Sequence, residues 1–199
     1  MRRAALLPLA LLALVLVLLM RLRRKVTTVA ALRAAVATDD PVLERWAPFV
    51  CDAVADVFGN EPKIARACMS ILNNELPGGA RRGELVIIGD KDLPGGPSIG
   101  PMQVYRATAK DLRLWSPPPD VAGEDPWERE VYASIAHDPE QCIRWGVEVF
   151  RAKLQVAGGE LDDAIRRYNG GGTAAAKYRD RALAFADATW GGLDGLGIA

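Results

Sequence analysis

The segment EPKIARACMSILNNE, residues 61–75, decides how this chain is read. Ile64, Ala67, Cys68, Ile71 and Leu72 fall on one stripe at helical spacing, and LPGG from Leu76 to Gly79 closes the helix. Glu75 is thereby left at the carboxy end of a helix, among apolar residues and glycines. A carboxyl placed there loses water, which raises its pKa and keeps it protonated near neutrality, the state a general acid needs. Position alone favours a solvated helix-end glutamate, so the weight of Glu75 rests on the segments carboxy-terminal to it.

Residues 78–100 break into turns, with Gly-Gly pairs at 78 and 95 and one short apolar run, Leu85 to Ile88, that reads as a strand or hairpin arm. SIGPMQV, Ser98 to Val104, comes next, then a short helix from Tyr105 and a proline-stiffened loop from Ser116 to Val121. Helices are expected near Trp127, from Pro139, from Leu161 and across TAAAKYRDRALAFADATW, with RYNGG, Arg167 to Gly171, stopping the third of these. Upstream, Asp40 and Pro41 read as an N-cap and first turn, opening a helix that carries Leu43, Trp46, Val50, Val54 and Val57 through Pro48 to Gly59. The pattern is α+β: mostly helical with a small β insertion.

The chain has 199 residues, half of them apolar, enough for one core, and its 25 basic and 25 acidic residues leave no net field toward nucleic acid. Ala4 to Met20 is an unbroken apolar run bracketed by Arg2 and Arg3 before it and Arg21, Arg23, Arg24 and Lys25 after it. It reads as an amino-terminal transmembrane helix, at the short end of spanning length, with its basic flanks favouring a retained anchor over a cleaved signal. Counting bases, two arginines and the amino group before the run against four residues after it, leans toward holding the carboxy-terminal side in the cytoplasm. The expected organisation is a transmembrane or signal-anchor segment over 1–25, a tether or stalk over 26–40 and a catalytic domain over 41–199. The cysteines, Cys51, Cys68 and Cys142, read as buried thiols, with a Cys51–Cys68 disulfide as the alternative. With His137 alone and no ligand spacing, neither metal nor cofactor is expected.

Glu75, SIGPMQV and RYNGG, in that order, resemble the lytic transglycosylases and goose-type lysozymes. DPEQCIRWGVEVFRAKL, Asp138 to Leu154, is similar to that family's helix before its Tyr-Asn motif, and the resemblance covers roughly residues 45–188. It implies a lysozyme-like fold and cleavage of the β-1,4 bond between N-acetylmuramic acid and N-acetylglucosamine in peptidoglycan. Glu75 is then the single catalytic group, first acid and then base, giving a 1,6-anhydro product without water. The alternatives are a hydrolytic muramidase on the same scaffold and a non-catalytic wall-binding or assembly protein.

The resemblance also implies that Ser98, Met102, Gln103, Tyr168 and Asn169 line the substrate cleft, with the Tyr168 hydroxyl directed at Glu75 or at sugar. Peptidoglycan glycan strands are the expected partner, with the membrane contacted through residues 4–20 and no nucleic acid. Localisation follows as membrane-anchored and facing the cell wall, at a bacterial inner membrane or a viral membrane, with a larger envelope-spanning or virion assembly as a further expectation.

Two positions depart from the family: Leu76 replaces a serine that supports the glutamate, and Pro101 replaces a leucine. The spacing from Glu75 to Gly100 is also long, which reads as an inserted loop from Arg81 to Val86. Glu84 lies closer to the expected gap but sits in a turn, and Asp90, in an Ile-Gly-Asp-Lys turn, could supply a second carboxylate or be plain turn chemistry.

Overall fold

The computed structural model describes residues 6–76, 84–90, 92, 94–123 and 125–195, with side chains from residue 14 onward. Eight α-helices are present among them: α1 Leu6–Ala35, α2 Pro41–Val57, α3 Pro62–Glu75, α4 Arg106–Asp111, α5 Asp125–Ser134, α6 Pro139–Val156, α7 Leu161–Tyr168 and α8 Gly172–Trp190. A single turn of 3₁₀ helix, Ile135–His137, joins α5 to α6. Three two-residue strands, β1 Ile88–Gly89, β2 Ser98–Ile99 and β3 Val104–Tyr105, form one antiparallel sheet in sequence order.

The membrane-spanning reading of residues 4–20 is corrected, because among the described residues no helix is long and apolar enough to cross a membrane. The apolar run ends at Met20, short of the ~20 residues a bilayer core requires, and α1 continues through Arg21, Arg23, Arg24 and Lys25. Met1 to Ala5 and the side chains up to residue 13 lie outside the described residues.

The second half of α1 belongs to the domain instead of forming the expected tether. Leu32 and Val36 are fully buried in the main core. Lys25 Nζ reaches Asp52 at 3.1 Å and Asp56 at 2.9 Å, and Arg66 Nε donates to the Ala35 carbonyl at 2.9 Å. Trp190 Nε1 closes the junction by donating to the Ala37 carbonyl at 2.9 Å.

Local chemistry explains the helices around the site. Asp40 caps α2 through Oδ1, which accepts from the amides of Val42 at 2.8 Å and Leu43 at 3.4 Å, and the helix runs through Pro48 without ending. Ala65, Ala67, Cys68, Met69, Ile71 and Leu72 of α3 are all fully buried, since α3 is the central helix packed by α2, α7, α8 and α1. Burying Ile71 and Leu72 alone contributes about 1.5–3 kcal/mol each. The three cysteines are free and buried, which corrects the disulfide alternative, and burial pushes the Cys51 and Cys142 thiols up to about 12. A second cluster, around Ile99, Val104, Trp115 and Tyr132, seats the sheet against α4 to α6.

Candidate active site

Glu75 is the last residue of α3, where the helix stops because Leu76 turns to extended backbone (φ −60°, ψ 105°). Leu76 itself is buried at 5% exposure in the main core. Removal from water raises the Glu75 pKa to about 7. The Tyr178 hydroxyl opposes that rise, the negative charge of Asp90 adds to it, and the positive charge of Arg181 opposes it. Tyr178, on α8, is buried, and its hydroxyl finds no partner at normal hydrogen-bond geometry. It lies near enough to bias the carboxyl without forming a regular bond to it.

Glu75 opens onto a cleft of about 360 Å³ whose other walls are Asp90, Ser98, Gln103, Tyr105, Thr108, Lys153, Tyr168, Asn169 and Gly170. The three motifs, spread over nearly a hundred residues, thus meet around one carboxyl. A larger cleft of about 510 Å³ between Lys63, Glu160, Asp187 and Asp194 lies elsewhere, and there Lys63 and Asp194 pair with one another.

The sheet side of the cleft is held under local strain. Asp90 and Gln103 are both left-handed, at φ 49°, a conformation that costs a non-glycine residue about 1–3 kcal/mol unless its surroundings hold it. Ser98, nearly fully buried, donates from Oγ to Asp90 Oδ2 at 3.0 Å. Gln103 Nε2 donates to the Gly100 carbonyl at 2.8 Å, and a Cβ on Gly89 would lie 2.1 Å from Gln103 Oε1. Gly89 is therefore required for the Gln103 amide to lie across β1. Behind this wall, Tyr105 accepts from the Gly95 amide at 2.7 Å, and Arg106 Nε donates to the Gly95 carbonyl at 3.0 Å. Arg106 also pairs with buried Glu128 at 2.8 Å, which Lys110 reaches at the same distance.

No family model, curated protein or solved structure matches the chain. The functional reading consequently rests on the geometry of these residues.

Of the residues singled out in the sequence, Glu75, Ser98, Gln103, Tyr168 and Asn169 all line the cleft. Met102 does not. Its side chain is fully buried in the core against Gly146, where an added Cβ would lie 2.6 Å from Sδ, so the cleft-lining reading of Met102 is corrected. Tyr168 contributes its ring, but its hydroxyl donates to the Met102 carbonyl at 3.0 Å and so ties α7 to the Gly-Pro-Met-Gln turn instead of meeting Glu75. Ser98 is engaged with Asp90, leaving Asn169, exposed and without a side-chain hydrogen bond among the described residues, as the freest amide at the site. Gly170, not Asn169, takes the left-handed conformation, at φ 100° against −84°.

Glu84 is exposed and outside the cleft, and the inserted loop is described only from residue 84 onward. Trp115 is core, edge-on to Tyr132 at 5.0 Å between ring centroids, and His137 is exposed while Asp138 caps α6. Tyr178 carries no signal in the sequence, because a tyrosine in an Ala-rich helix gives no sign of facing a carboxyl on another helix. Among the described residues no group of side chains could hold a metal ion.

Proposed function

We propose that the chain cleaves the β-1,4 bond between N-acetylmuramic acid and N-acetylglucosamine, with Glu75 as general acid and then base. The observation that carries this reading is a carboxyl at about pKa 7 opening onto a cleft lined with hydrogen-bonding groups. At neutral pH such a group is protonated often enough to donate and ionised often enough to accept. Protonated Glu75 gives its proton to the glycosidic oxygen as the bond to the anomeric carbon breaks. The carboxylate left behind takes the proton of the muramoyl 6-hydroxyl as that oxygen closes on the anomeric carbon, giving a 1,6-anhydro end. The two steps together return Glu75 to its starting state, and no cofactor enters.

One observation favours a second reading, hydrolysis. Asp90 lines the same cleft and acts electrostatically on Glu75, and two carboxylates about one sugar permit a water to be activated on one face while the other protonates the leaving group. The masses of products released from purified peptidoglycan test both readings. Anhydro ends lost with Glu75→Gln support transglycosylation. Reducing ends that vanish with Asp90→Asn support hydrolysis. Absence of both products from the folded wild-type chain overturns the enzymatic reading.

A further inference from the structure

Among the described residues that line the Glu75 cleft one base is present, Lys153, which projects from α6 into a wall otherwise made of two acids, neutral polar groups and a glycine. The other bases of α6 are engaged: Arg144 with Asp52, Asp56 and Glu140, and Arg151 with Glu148 at 2.7 Å. Lys153 has no carboxylate within ion-pair distance among the described residues, although Asp90 and Glu75 line the same cavity. Thr108, also on the cleft wall, likewise has no side-chain hydrogen bond among the described residues. An ammonium kept half-buried in a cleft, and not ion-paired with a described carboxylate, is available to an incoming anion, and its field is felt most strongly where water is partly excluded.

We infer that Lys153 recognises a carboxylate on the substituent arm of the bound glycan and so selects acidic strands over neutral ones. The inference rests on the proposed function for its substrate class. N-acetylmuramic acid differs from N-acetylglucosamine by a lactyl ether, which ends in a carboxylate when bare and, when that carboxyl is amide-linked to a stem peptide, presents the peptide's own carboxylates instead. A neutral chitooligosaccharide has the same β-1,4 backbone and none of this charge. With Glu75 and Asp90 in the same cleft, Lys153 also orients the strand, because its acidic arm is drawn to the ammonium and kept from the two carboxyls.

Binding to the full chain carrying Glu75→Gln, which holds strands without cutting them, tests this by calorimetry against three probes. They are chitooligosaccharide, glycan strands stripped of peptide, and strands with stem peptides. Adding Lys153→Gln should weaken the carboxylate-bearing probes about tenfold and remove most of their salt dependence, leave chitooligosaccharide unchanged, and be largely rescued by Lys153→Arg. Loss confined to stripped strands assigns the lactyl carboxylate, and loss confined to peptide-bearing strands assigns the stem. Equal weakening of neutral and acidic probes, or no weakening of either, overturns the assignment. Turnover by the wild-type chain is scored separately. Charge-selective binding without products sinks the enzymatic reading and leaves Lys153 an anion-binding residue, whereas products with charge-blind binding sink Lys153 alone.

Discussion

Glu75 and Glu128 are both helix glutamates removed from bulk water, and they titrate in opposite directions. Glu128, 4% exposed on α5, is held below the usual carboxylate range by the Lys110 ammonium, the Gly123 amide and the Arg106 guanidinium. Glu75, at the end of α3, has among the described residues the Tyr178 hydroxyl and the Arg181 charge to offset its desolvation, and its pKa rises to about 7. Burial is common to both, and the supply of positive charge separates them. Glu128 is a fixed anion that holds the sheet side of the cleft to α5, while Glu75 remains a carboxyl able to gain and lose a proton.

Exchanging each for glutamine should break that comparison most visibly. Glu75→Gln should lower the rate of peptidoglycan cleavage about 10²- to 10⁴-fold, the usual contribution of a positioned general acid, with the circular dichroism spectrum and melting temperature held or raised. Glu128→Gln should do the reverse. It leaves the Arg106 guanidinium, 7% exposed, without its buried partner and with the more exposed Asp125, at 2.5 Å, as its remaining carboxylate, at a cost of about 1–3 kcal/mol read by urea denaturation, while activity below the transition survives. A Glu128→Gln variant that is stable but inactive would place the two residues in one machine and sink the division of roles.

The pH dependence sharpens the same contrast. Glu75 carries a folded-state pKa above its unfolded value of 4.5, so the protein binds this proton more tightly when folded. Its contribution to stability is fully present below pH 4.5 and is lost as pH rises through about 7. A shift of that size is worth about 3 kcal/mol. Unfolding free energies of wild type and Glu75→Gln measured from pH 4 to pH 8.5 should therefore diverge between about pH 4.5 and 7, the variant gaining on the wild type across that window and holding a constant lead above it. Turnover should fall over the same range as the acid is lost. Parallel stability curves would show that Glu75 is solvated.

The parts of this arrangement that sequence discloses are those set by near neighbours. The Asp40 cap, the stripe of α3, the stop that strands Glu75 at a helix end, and the glycine-rich turn at Gly100 are all decided within about one helical turn, and the structure has each of them. Gathering Glu75, Gln103 and Tyr168 at one cleft is legible only when three spaced motifs are read together. Long-range pairings are not legible. Nothing in the sequence pairs Arg106 with Glu128, Leu32 and Val36 fall in the segment that reads as a tether, and Met102 reads as a sugar contact, because nothing local to any of them names its partner.

Gln103 gives a smaller effect. Its amide is spent on the Gly100 carbonyl and lies over Gly89, so Gln103→Ala removes a brace from a strained turn. Stability should fall by about 1 kcal/mol, and activity should fall with it as the sheet side of the cleft loosens. Activity lost at an unchanged melting temperature would instead make Gln103 a direct sugar contact.

Tyr178→Phe should have the smallest effect and the least usual sign. The Tyr178 hydroxyl is buried without a regular partner, and desolvating an unpaired hydroxyl costs about 1–3 kcal/mol, so replacing it with hydrogen removes a penalty as well as a contact. The folded state should therefore hold its stability or gain up to about 1 kcal/mol. The same hydroxyl opposes the rise in the Glu75 pKa, so without it the carboxyl should titrate higher still. The alkaline limb of the pH–rate profile should move to higher pH, while the maximal rate drops only as far as ionised Glu75 relies on that hydroxyl in its second, proton-accepting role. A limb that moves to lower pH would mean that Tyr178 stabilises the protonated carboxyl, and the order of influences around Glu75 would have to be rebuilt from Asp90 outward.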